Sequence, residues 1–238
     1  MSQRLDKRSI PGTDWRLLEE GIHTCLPDAE IASDYDPIAK GYDRVVGNPL
    51  YNRVVWGNSV ADYRRRAAQA LAAANEGPIL DVGCGTLKFT LAPYLATHHR
   101  PLLLLDRSLA MLRLARDRLK RAHGGALPPD ILLLQGNAFA LPFLEHSMGA
   151  VVSWGVLHLF DDPLPLLTQM ERVCRDDGVV AWSHLVLAER WSDRYLQLLQ
   201  RHGHVATPRS TGDLALMLGR TSRPYRLERQ GGMVYGVG

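Results

Sequence analysis

Pro78-Ile79-Leu80-Asp81-Val82-Gly83-Cys84-Gly85-Thr86-Leu87-Lys88-Phe89-Thr90 is a short apolar run that ends in an acid and a Gly-x-Gly turn, with a helix-compatible segment behind it. This is the strand–turn–helix layout of a nucleotide-binding crossover. Glycines let the backbone turn sharply and approach a ligand closely, and the free amides of the helix start face that ligand.

Downstream of the turn, strands and helices alternate. Leu102 to Leu105 reads as a buried strand ending at Asp106, and Ser108 caps a helix whose apolar side carries Leu109, Met111, Leu112, Ala115 and Leu119. Ile131 to Gln135 and Ala150 to Trp154 read as further strands. A helix from Pro163 to Val173 leads through Asp177-Gly178 into a strand over Val179 to Leu187. Helices over 189–201 and 211–218 follow, and the tail around Gly231-Gly232 reads as a closing hairpin.

Upstream, a helix through Val60 to Ala74 stops at Asn75-Glu76-Gly77-Pro78. Asp36-Pro37 opens an earlier helix that sets Tyr35 and Tyr42 on one face. Residues 1–33 read as an N-terminal arm with a short helix around Trp15 to Glu20, and residues 34–238 as one domain whose first part, 34–57, forms lid helices. Alternating strands and helices mean a parallel sheet covered on both faces.

The bulk properties narrow the class. The net charge of +3 is modest and the basic residues are scattered along amphipathic stretches, which argues against a nucleic-acid partner. No apolar stretch reaches the roughly 18 residues of a membrane span. The N-terminus leads into no apolar secretory core, so a cytoplasmic location is expected. Cys25, Cys84 and Cys174 lie far apart, without metal-type spacing, and Asp161-Asp162 before Pro163 reads more simply as a helix cap than as a cation site. No metal is expected.

Several motifs carry a resemblance. Asp81-Val82-Gly83-Cys84-Gly85-Thr86 resembles the first motif of class I S-adenosylmethionine (SAM) dependent methyltransferases, and the later strand ends match that series in order. Asp106-Arg107-Ser108-Leu109-Ala110-Met111 resembles the second motif, Gln135-Gly136-Asn137-Ala138 through Leu141-Pro142-Phe143 the third, and Val152-Ser153-Trp154-Gly155-Val156-Leu157-His158 the fourth. The tyrosine pair of Tyr35 and Tyr42 resembles the entrance helix of the ubiquinone/menaquinone-type members. The resemblance covers roughly residues 34 to 187 and implies a Rossmann-like, doubly wound, mostly parallel seven-stranded sheet with a C-terminal antiparallel hairpin and a helical N-terminal lid.

It also implies a cofactor site. Tyr42, Asp81, Gly83, Cys84, Gly85, Asp106, Arg107, Met111, Asn137, Ala138 and Ser153 fall at its cofactor-binding positions, with S-adenosylhomocysteine as product. Asp106, about 20 residues past the turn, can accept hydrogen bonds from a ribose diol, as the equivalent acid does in NAD enzymes, or cap the helix after it. The missing third glycine of the dinucleotide fingerprint, the long segment before the first strand and the later motifs favour SAM over NAD. Asn137 stands where the family has an acid, and its carbonyl oxygen can still accept from an adenine amine.

Two residues depart from expectation. Leu87 occupies a position where relatives have glycine, so either the turn relaxes into the helix early or the side chain narrows the pocket. Lys88, in what reads as the first turn of a helix, opposes the dipole and faces either an anionic group or solvent.

His158, just past the fourth strand, is the candidate catalytic acid/base, although a structural histidine also fits there. The acceptor pocket is expected between Tyr35–Trp56 and the segment from Trp182 to Arg209, lined by Tyr51, Trp56, Trp154 and Trp191. The resulting expectation is methyl transfer to a small, partly hydrophobic molecule. The alternative is a non-methyl-transfer reaction, such as a cyclisation, on the same fold. The sequence is also compatible with a homodimer.

Overall fold

A computed structural model describes residues 15–32, 46, 48–74, 76–97, 100–189 and 191–238. Among them, nine strands form one sheet in the order β1-β2-β5-β4-β3-β6-β7-β9-β8. The strands are β1 (Arg16–Glu19), β2 (Ile22–Thr24), β3 (Ile79–Val82), β4 (Leu102–Asp106), β5 (Ile131–Gln135), β6 (Met148–Ser153), β7 (Cys174–Leu185), β8 (Arg226–Gln230) and β9 (Met233–Val237). β2 through β7 pair in parallel across the centre, while β1, β9 and β8 are antiparallel. The chain leaves β3 toward β4 and β5, then returns to β6 and β7 on the other side. The order therefore reverses at β3, which opens a crevice at the carboxyl ends of β3, β4 and β6.

Side chains alternate across this sheet. Leu80, Val82, Leu103 and Leu105 enter one buried cluster with helix α4 (Leu164–Val173). Ile79, Leu102 and Leu104 enter the other with α3 (Leu109–Ala122), α2 (Leu91–Leu95) and α1 (Val60–Ala73). Burying each such side chain is worth about 1.5–3 kcal/mol. α1 begins at Ser59 in a reciprocal cap with Asp62, and α3 at Ser108, whose hydroxyl accepts from the Met111 amide at 3.2 Å. Two further helices, α5 (Ser192–Arg201) and α6 (Thr211–Leu218), precede the closing hairpin.

The sheet has two strands more than the seven expected. The segment around Trp15 to Glu20, read from sequence as a short helix, instead supplies β1 of the hairpin β1–β2, and Ile22 is fully buried against β5. Gly21, at φ +74°, makes the tight turn, and Arg113 and Arg116 on α3 pair with Glu19 at 2.8 and 3.0 Å. Tertiary pairing overrides a weak helical preference here. Of the lid, residues 34–45 lie outside the described residues. Its last part is a helical turn (Pro49–Tyr51), capped by Asn48, that widens into a π turn (Asn52–Trp56).

Candidate active site

At the end of β3 the Gly83 and Cys84 amides donate to the Leu105 carbonyl of β4 at 2.7 and 3.0 Å, which ties the turn to its neighbour. Gly83 has φ +77°, and a Cβ there would lie 2.5 Å from the Val156 side chain. Gly85 has φ +55°, and a Cβ there would meet nothing within 4 Å. The first glycine is thus required by packing, and the second borders open space. That space is a cleft of about 160 Å³, walled by the turn, Asp106, Arg107, Met111, Ala138 and the loop from Trp154 to Phe160.

Two carboxylates meet the cleft. Asp106 accepts from the Gly85 amide at 2.7 Å and from the Ser108 amide at 2.9 Å, so it couples the glycine turn to the start of α3. Asp81 is deeper, at 1% exposure. One of its oxygens accepts from the Tyr94 hydroxyl at 2.7 Å, and the other has no partner among the described residues. Burial pushes the Asp81 carboxyl up to about 7; the Tyr94 bond opposes that rise and nearby Asp106 adds to it. Burial, and then the same two acids, push the Cys84 thiol well above its ordinary range, which removes it as a nucleophile.

The turn does not relax around Leu87. That residue keeps φ +59°, is 1% exposed, and packs with Leu71, Tyr94 and Leu112 while forming part of the cleft wall. Lys88 lies on the exposed rim, in a turn ahead of α2 rather than inside it, so the expected conflict with a helix dipole does not arise.

Other anticipated residues separate. Gly83, Gly85, Cys84, Arg107, Met111 and Ala138 all line the cleft. The Arg107 guanidinium, however, bonds to the Glu30 carbonyl and lies 3.7 Å from its carboxylate. Asn137 sits beside the cleft with its side-chain oxygen accepting from the Phe139 amide at 2.9 Å. Ser153 is fully buried and donates to the Val82 carbonyl at 2.8 Å, pinning β6 to β3 rather than facing the cleft. Tyr42 lies outside the described residues. Asp162 accepts from the Leu164 amide at 3.1 Å, at the start of α4, and Asp161 from the Thr207 amide and hydroxyl at 3.0 and 2.7 Å.

His158 stands on a single 3-10 turn after β6, with its ring 6.1 Å from that of His184. Its Nδ1 is sealed from solvent without a partner. Burial, then His184, pulls the His158 imidazole down to about 3, and burial pulls His184 to about 4, so both rings are neutral near pH 7.

Sequence reasoning missed Tyr94, Leu159 and Phe160. Tyr94 was findable, since a tyrosine inside an apolar helical run needs a buried partner for its hydroxyl. The other two depend on the path of a loop.

Residues 80–182 match the methyltransferase domain family. The demethylmenaquinone methyltransferase of Renibacterium salmoninarum is 32% identical over 66% of this chain and 60% of its own length. A phosphatidylethanolamine N-methyltransferase of Cereibacter sphaeroides is 30% identical over 65% of this chain and 77% of its own. The chain belongs to the SAM-dependent methyltransferases. It spans less than two thirds of the menaquinone-type relative. A SAM-dependent methyltransferase of Thermotoga maritima shares the fold of this methyltransferase, with a TM-score of 0.60 and 16% identity over 86% of this chain and 97% of its own.

The methyltransferase cleft fits a cationic nucleoside in two respects: a buried carboxylate oxygen without a partner, and a glycine bordering open space. Beside it lies a packed aromatic cluster, in which Trp56, Tyr63, Tyr235 and Met233 are buried and Tyr51 and Tyr195 pack against them. Phe89 stacks on Tyr63 at 5.0 Å, and Trp154 lies 6.4 Å from Tyr235. Both Phe89 and Trp154 also line the cleft, so the cluster backs part of the cleft wall. Of the aromatics expected to line an acceptor pocket, Tyr51, Trp56 and Trp154 belong to or pack on this cluster. Trp191 does not, because it is 56% exposed.

Proposed function

We propose that this chain transfers the methyl group of SAM to a small, partly hydrophobic acceptor held where the aromatic cluster borders the cleft. The observation that carries the reading is that Phe89 and Trp154, which pack on the aromatic cluster, also line the cleft. The cofactor supplies the chemistry, since its sulfonium makes the methyl group electrophilic. The chain supplies position. Asp81 would take the ammonium of the methionine end, and Asp106, at the end of β4 beside the turn, would accept from the ribose hydroxyls. Met111 and Ala138 bracket the adenine, and the open side of Gly85 gives the chain of the ligand room to pass.

The acceptor then needs only to align its nucleophilic atom with the methyl group. Where it arrives protonated, the proton leaves through water to solvent; neutral His158, one residue from the cleft lining, serves only as a transient relay, since burial, then His184, holds its imidazole down to about 3. The names of the relatives suggest two acceptor types for the first trials, a short-chain demethylmenaquinol and phosphatidylethanolamine.

Incubation with methyl-labelled SAM and each acceptor tests the reading, and label appearing in product is the expected result. Product formed without label points instead to another reaction. In the same assay His158→Gln lowers kcat with SAM affinity unchanged. Asp106→Ala weakens SAM binding by calorimetry about 100-fold or more, given roughly 1.5–3 kcal/mol per charge-assisted bond.

A further inference from the structure

Around the aromatic cluster, two segments expose apolar side chains. On the turn after Asn48, Leu50 is 69% and Val54 48% exposed, while Asn52 and Trp56 between and beyond them are buried. At α5, Trp191 is 56% and Leu198 45% exposed, while Leu196 is buried. Spacings of four and seven residues place each pair on one side of its helical turn.

The segments adjoin. The Tyr51 and Tyr195 hydroxyls are 3.3 Å apart, and their rings pack edge to face. Tyr51 lies between Leu50 and Val54 in sequence, and Tyr195 between Trp191 and Leu198. Arginines border both strips: Arg53 on one, Arg194 and Arg201 on the other. All three are exposed, and among the described residues none of them pairs with an acid. The nearest acid on α5, Asp193, turns inward to accept from the Ala188 amide at 2.9 Å.

Exposed leucine, valine and tryptophan interleaved with unpaired arginines are the pattern of a surface that lies in the headgroup layer of a membrane. Such binding combines shallow apolar burial with attraction to anionic lipid, and tryptophan favours that depth. We propose that this face docks on an anionic bilayer, with Leu50, Val54, Trp191 and Leu198 inserted and Arg53, Arg194 and Arg201 on the phosphates. The aromatic cluster on which Tyr51 and Tyr195 pack would then lie on the lipid side of the protein, toward which an apolar acceptor is drawn. The proposal extends the acceptor reading but is tested without methyl transfer.

The test uses the full chain and sedimentation with vesicles of phosphatidylglycerol and phosphatidylcholine, compared with phosphatidylcholine alone. Binding is expected to the anionic vesicles, to weaken with salt, and to shift the tryptophan emission to the blue. Trp191→Phe should abolish most of that shift. Leu50→Ser with Leu198→Ser should cut partitioning at least ten-fold, and each Arg→Gln about five-fold. SAM affinity of these variants should equal that of the wild type, which separates lost docking from lost folding. Equal partitioning by wild type and variants overturns the proposal. So does concentration-dependent dimerisation, seen by light scattering without lipid, that Leu198→Ser abolishes, for the face then belongs to a second copy.

Discussion

Asp81 links the cleft to stability through its proton. Its folded carboxyl titrates near 7 instead of 3.8, so the folded state keeps the proton longer than the unfolded chain does. The benefit is full below pH 4 and is lost as pH rises toward 7. At about 1.4 kcal/mol per pH unit, the loss amounts to about 4 kcal/mol in the ligand-free protein. Asp81→Asn is expected to flatten this limb: thermal melts of the ligand-free variant fall less between pH 4.5 and 7.5 than those of wild type. His158 and His184 act in the opposite direction. Their depressed values leave their contribution full above about 6.5 and remove it as pH falls toward 4. Leu87 poses a second balance. Its left-handed backbone costs about 1–2 kcal/mol, whereas emptying a buried leucine site costs about 2–5. Leu87→Gly should therefore be destabilising by about 1–3 kcal/mol despite the relieved strain, and Leu87→Ala, which keeps the strain, by more. Denaturant melts of the pair check both.

The parallel strands, the capped helices and the glycine turn were legible because each carries a local signature: an apolar run closed by an acid, a serine before an amphipathic stretch, a Gly-x-Gly. The β1–β2 hairpin was not. Arg16–Glu19 is only four residues long, and what makes it a strand is its pairing with β2, itself held on the distant edge of β5, together with the arginines of α3. The same blindness affected the site. Ser153 falls at a motif position, yet its hydroxyl is consumed by the Val82 carbonyl, and only tertiary register reveals that. Trp191 reads as a pocket aromatic by composition and turns outward by its place at the head of α5. Gly21→Val isolates the hairpin, because it forces a β-branched residue to φ +74° and drives its Cβ into Leu127. Faster amide exchange at Ile22 and Thr24, with SAM affinity unchanged, is the expected outcome.

For the molecule as a unit, cofactor binding and stability are coupled. A ligand at 100 times its dissociation constant adds about 2.7 kcal/mol. In a chain of this length that raises Tm by roughly 5–10 °C. Scanning fluorimetry with SAM should give the larger rise at pH 8 than at pH 6, since Asp81 meets an ammonium best when ionised.

The N-terminal hairpin has a consequence for assembly. By covering β5 it replaces a regular parallel border with β1, a strand of four residues whose register breaks between Leu17 and Glu19 and whose ends are Arg16 and Glu19. The opposite border, β8, carries Arg226, Glu228 and Arg229. Bulged, short or charged borders resist recruitment of a foreign strand. Among the described residues, both flanks of the sheet therefore disfavour continuous intermolecular pairing, which leaves helices and loops as the favoured surfaces for any association of copies.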